Sequence, residues 1–135
     1  DDYYFYVNAI GYVPTVADEN EDFDNNTYNI GNYYNSEELA WSNARADQLL
    51  AQMRQWQAIN DKPLSREDWK NKKIAKFCFV YNYLEDGIRI KKEHTEKQPN
   101  TVYFTTFDKT LRALEIFEKE LLWYFKEYQQ RLDEE

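Results

Sequence analysis

Asp18, Asn20, Asp22 and Asp24 fall at the first, third, fifth and seventh places of an EF-hand calcium loop. Two stricter positions fail, because Phe23 stands where the sharp turn needs glycine and Asn29 where a bidentate glutamate should close the shell. No metal site is expected there. Cys78 is the only cysteine and His94 the only histidine, which excludes an internal disulfide and a Cys/His zinc site. Cys78 lies between Phe77 and Phe79, where apolar surroundings raise a thiol pKa and leave it inert. His94 has no companion Ser or Cys in a nucleophile motif. Carboxylate pairs distinguish nothing in a chain with 25 acids. Three glycines are too few for a phosphate-cradling loop. Neither an enzyme nor a cofactor is expected. The chemistry that remains is that of Asp18, Glu19, Glu21, Asp22 and Asp24, which can accept charge-assisted hydrogen bonds from Arg and Lys of a protein partner.

Charge supports that direction. The 135 residues carry 17 Lys and Arg against 25 Asp and Glu, a net of −8 that disfavours direct contact with nucleic acid or an anionic membrane. Residues 1–47 hold ten acids and one base, Arg45; residues 48–106 hold eleven bases and seven acids; residues 107–135 hold five bases and eight acids. A negative face at the N-terminal end could enter a protein groove built to hold nucleic acid, while residues 70–76 are locally basic. Acidity also serves solubility, and composition alone does not separate the two roles. No apolar run approaches the length of a membrane helix, and the cysteine usage fits a reducing interior, so a cytoplasmic protein is expected. The chain starts at Asp1 rather than Met, so a leading segment is expected to precede it.

These residues must be positioned by one globular α+β domain spanning residues 1–135. Residues 3–16 read as two β-rich runs of a hairpin, Pro14 marking an edge. Residues 18–26 are dense in like charge without apolar periodicity, which predicts an exposed acidic loop. Residues 28–34 can return as a short strand. Asn35 with Glu38 suggests a capping box opening a long helix, whose face takes Leu39, Ala46, Leu49, Met53 and Trp56 to about Ile59. Ser65 and Asp68 mark a single helical turn. Residues 74–83 alternate as a central strand, Asp86-Gly87 signals a two-residue turn, and residues 88–93 return. Residues 101–105 suit a fifth strand. A last helix from Thr105 or Thr106 to about Arg131 draws its face from Phe107, Leu111, Leu114, Phe117, Leu121, Phe125, Tyr128 and Leu132. The expected architecture is a mixed or mainly antiparallel sheet of about five strands packed with two long helices. Its core takes Phe77, Phe79, Tyr81, Phe104, Leu49, Met53, Leu114 and Leu121.

The last helix is apolar on more than one stripe. Ile116, Leu122 and Trp123 lie off its main face, an association surface for a homodimer or another partner unless the N-terminal hairpin covers it.

The run from Tyr28 through Ile30-Gly31-Asn32 to Ala40, Trp69 ahead of the strand at Phe77–Tyr81, and Thr101–Thr106 before the last helix resemble a group of small phage and prophage proteins of Gram-positive bacteria. That family has no assigned reaction, so no catalytic residue carries over. Its usual short, Gly-bearing C-terminus also differs from the helix expected over residues 121–135. The resemblance implies a protein working inside a bacterial host cell as a stoichiometric, anti-CRISPR type inhibitor of host defence. Its partner would be a host nucleic-acid-binding protein, with a type II CRISPR effector, Cas9, the leading candidate. The alternative is a phage structural or replication-accessory protein that assembles through its C-terminal helix.

Overall fold

Short aromatic runs pair locally, and long periodic runs form helices. In the computed structural model, which describes residues 2–130, chain order is β1 (Tyr3–Phe5), β2 (Thr15–Ala17), α1 (Asp22–Asn29), α2 (Glu37–Asn60), α3 (Arg66–Lys70), β3 (Lys76–Asn82), β4 (Gly87–Glu93) and α4 (Phe107–Lys126). The class is α+β. The described residues form four strands in two separate antiparallel pairs, β1 with β2 and β3 with β4, in place of one sheet of about five. They cluster into two compact units, residues 2–47 with 128–130 and residues 48–127.

In the first unit Tyr3, Tyr4 and Phe5 face Ala17, Val16 and Thr15. The connection bends at Asn8, whose side-chain oxygen accepts from the amides of Ile10 (3.1 Å) and Tyr12 (2.9 Å). Residues 18–26 are not a loop throughout, because α1 begins at Asp22. Nor do residues 28–34 form a strand. α1 runs to Asn29, and Gly31, at φ +75°, supplies the left-handed residue after it, while the Asn32 amide donates back to Thr27 O at 3.0 Å. Ile30-Gly31-Asn32 is therefore a helix exit. Tyr34 alone rejoins the sheet, exchanging two backbone hydrogen bonds with Phe5. Asn32 closes the layer by pairing its side-chain amide with both backbone groups of Val7, each at 2.7 Å.

In the second unit β3 and β4 pair from Lys76↔Glu93 to Asn82↔Gly87. The turn is thus a four-residue loop, 83–86, and not a two-residue one: Asn82 Oδ1 accepts from the amides of Leu84 (3.0 Å) and Glu85 (3.2 Å), and Asp86 adopts φ +57°. β3 has a neighbour on its other side only at Phe77, which exchanges two backbone bonds with Phe104. The expected fifth strand stops there because the Thr105 amide turns to Asp61 Oδ2 at 2.8 Å, while the Thr105 hydroxyl also donates to Asp61. Thr106 then caps α4, accepting from the Lys109 amide at 3.1 Å. α4 ends at Lys126, short of the expected Arg131; that residue and Leu132 lie outside the described residues.

The core of this unit is Leu49, Met53, Phe79, Val102, Phe104, Ala113, Phe117 and Leu121. Phe77, Tyr81 and Leu114, expected inside, are half-buried. The buried line of α4 passes through Ala113, Phe117 and Leu121 at four-residue steps, with Leu114 on its flank. Leu121→Ala should therefore cost about 2–5 kcal/mol, and Leu114→Ala distinctly less, in chemical denaturation. Equal shifts of the two midpoints would contradict this placement.

Candidate binding surfaces

The five acids separate into two groups. Asp24 is buried: its Oδ1 accepts from the Tyr4 hydroxyl (2.7 Å), and its Oδ2 from the amides of Glu19 (3.0 Å) and Glu21 (3.1 Å). Asp18, half-buried, accepts from the Tyr33 hydroxyl (2.6 Å) and the Asn20 amide (3.0 Å), with Asn20 at φ +57°. The rings of Tyr4 and Tyr33 stack at 4.2 Å, 17° from parallel, so one tyrosine pair serves both aspartates. The Tyr4 hydrogen bond, helped by the two backbone amides, holds the Asp24 carboxyl below its ordinary value. Burial, then the bond to Asp24, pushes the Tyr4 phenol up to about 12. The bond to Asp18, then burial, does the same for Tyr33.

Glu19, Glu21 and Asp22 are exposed. Beside them in the sequence are exposed apolar groups: Phe23 is 52% exposed, edge-on to Tyr6 at 5.3 Å, and Tyr28 is 66% exposed, edge-on to Tyr33 at 5.4 Å. Tyr3, Ile10, Tyr12 and Ile30 are exposed in the same unit. Charge alone pointed to the acids. The only sequence signal for Asp24 as a buried member is its place three residues after Glu21, at the start of a helix.

The second unit carries two clefts. An apolar one of about 220 Å³ lies among Leu49, Met53, Phe79, Val102, Leu121 and Phe125. The other, about 270 Å³, is lined by Arg54, Gln57, Leu64, Trp69, Lys97, Thr101, Val102 and Tyr103, residues scattered from 54 to 103 that no local sequence pattern joins. Cys78 is buried, and burial pushes its thiol up, against any nucleophilic role. Exposed His94 has Nδ1 3.0 Å from the Lys72 carbonyl oxygen. In the basic stretch Lys70, Lys72 and Lys73 are exposed. Lys76 is fully buried, its Nζ donating to the carbonyls of Asn71 (3.1 Å) and His94 and standing 5.2 Å from the Trp69 ring centre.

On α4, Ile116 is 57% exposed, and Leu122 and Trp123 are half-buried. Ile116 and Trp123, seven residues apart, share a face, but Leu122 points about 120° round the helix from Ile116, so the three do not form one stripe. Among the described residues no three His, Cys, Asp or Glu side chains converge as a metal site would require, and no helix is long and apolar enough to cross a membrane.

Comparison of the chain with protein-family models, with curated proteins and with solved structures finds no match.

The phenols give a direct test. A bond to Asp86, then burial, pushes the Tyr81 phenol up to about 12 as well. Because these folded values exceed the ordinary 10, the stability they contribute is complete below pH 10 and is lost as pH rises towards 12. Tyrosinate absorbance should therefore rise in two stages, with Tyr4, Tyr33 and Tyr81 last and unfolding alongside them. A single step of all 12 tyrosines near pH 10 with the fold intact would contradict these bonds.

Proposed function

We propose that this protein acts by binding and not by catalysis: its N-terminal unit presents Glu19, Glu21 and Asp22, flanked by exposed aromatic rings, to a basic groove of a nucleic-acid-binding protein, which it inhibits stoichiometrically. The observation that carries this reading is charge: ten acids against one base in residues 1–47, with three of the acids exposed together around the start of α1. A groove that holds phosphates with Arg and Lys accepts carboxylates by the same charge-assisted bonds. Exposed Phe23 and Tyr28 add the aromatic contact area that protein interfaces concentrate. Asp18 and Asp24 support this surface from beneath. A type II CRISPR effector such as Cas9 has the required groove, and the resemblance to small phage proteins expected from the sequence makes it the first target to test.

A second reading, assembly through α4, is favoured by the exposure of Ile116 seven residues before Trp123. The two differ in what breaks them. With a purified type II CRISPR effector, changing Glu19, Glu21 and Asp22 together to Gln, Gln and Asn should weaken binding at least about tenfold, with an unchanged melting temperature and steep salt dependence in the parent. Binding indifferent to that triple change, or no binding at all, would overturn the mimicry. Self-association lost on Ile116→Ser would favour the second reading.

A further inference from the structure

The 270 Å³ cleft of the second unit carries the opposite charge from the surface just described. Residues 48–127 hold fifteen bases and twelve acids, and the cleft itself is lined by two cations, Arg54 and Lys97, with no carboxylate. Among the described residues the Arg54 side chain forms no hydrogen bond or ion pair. Among the described residues Lys97 has no ion pair either; its Nζ stands 5.7 Å from the Trp69 ring centre, a cation–π contact that favours placing the ammonium at the cleft. Near the same ring, buried Lys76 spends its hydrogen bonds on two backbone carbonyls, and its charge acts on the nearby Asp68 carboxylate, which lies outside the cleft lining. Two ammonium groups thus stand over one indole, and Arg54 lines the same cleft. The remaining wall is mixed: Gln57 and Thr101 are polar and neutral, their side chains donating to the carbonyls of Lys62 and Pro99, while Leu64, Val102 and Tyr103 supply an apolar part, the Tyr103 ring meeting Trp69 edge-on at 4.8 Å and its hydroxyl accepting from the Gln98 amide at 2.8 Å.

From this arrangement we infer that the cleft binds a small aryl anion, a phosphate or carboxylate borne on one aromatic ring, with the anion between Arg54 and Lys97 and the ring against Leu64, Val102 and Tyr103. The guanidinium fork and the ammonium supply the donors, and the apolar wall supplies the selectivity for an organic over an inorganic anion.

The test is titration of the full chain with phenyl phosphate, benzoate, inorganic phosphate and phenol, followed by the Trp69 indole N–H resonance. Phenyl phosphate or benzoate should move that resonance saturably. Inorganic phosphate and phenol should each bind at least about tenfold more weakly, since each lacks one half of the recognised group. Arg54→Gln and Lys97→Gln, both at exposed positions, should each weaken aryl-anion binding severalfold and together abolish it. No saturable shift with either aryl anion, equal affinity for phenol, equal affinity for inorganic phosphate, or unchanged binding in the double variant would each overturn the inference.

Discussion

A carboxylate removed from water needs a donor for every lone pair it turns inward, and Asp24 is the place where this chain meets that demand. Residues 1–47 contain one cation against ten acids, so an ion pair is not the route taken. The Tyr4 hydroxyl and the amides of Glu19 and Glu21 take its place. Each donor fixes a different part of the first unit: Tyr4 holds β1, and the two amides shape the approach to α1. An unpaired charge there would cost far more than any of these bonds contributes singly. The hairpin and α1 are therefore joined by one buried group, and the neighbouring acids are left on the surface.

The second unit solves a comparable problem with neutral and cationic groups. Asp61, just past α2, accepts from both the amide and the hydroxyl of Thr105, just before α4, while Lys109 on α4 donates to Asn60 O. These contacts bring the two helix ends together and stop the segment before α4 from continuing as a strand. Lys76 ties the start of β3 to the backbone at Asn71 and His94 and places Trp69 where it can hold Lys97.

Periodicity over long windows was legible. α2, α4, the turn capped by Ser65 and the β3–β4 pair follow from apolar spacing and capping residues, although α2 is capped by Ser36, whose Oγ accepts from the Leu39 amide at 3.4 Å, and not by Asn35, and Phe107 and Leu111 of the expected α4 face are exposed. Leu49, Met53, Phe79, Phe104 and Leu121 are buried as their spacing requires. The 18–34 region was not legible, because α1 has no apolar face of its own to display: its buried members are Asp24 and Thr27, both polar. Nothing local says that Tyr4, twenty residues earlier, will donate to Asp24. The aromatic residues of 28–34 suit a strand by propensity, yet Gly31 serves as a helix stop. The 101–105 strand failed for a similar reason, since a side chain 44 residues away captured the Thr105 amide. Charge marks the acids as a group; burial sorts Asp18 and Asp24 from exposed Glu19, Glu21 and Asp22.

That division is the centre of the account. It requires the Asp24 carboxyl to stay ionised below its ordinary value of 3.8, because the Tyr4 and backbone donors favour the charged form. The contribution to stability is then complete above that value and is lost as pH falls through the lower, folded one. Carboxyl-carbon NMR of the labelled chain through an acid titration measures this directly. The Asp24 midpoint should lie below 3.8, with the first unit loosening as that group protonates. A midpoint at or above 3.8, with β1 and α1 undisturbed as Asp24 protonates, would contradict it.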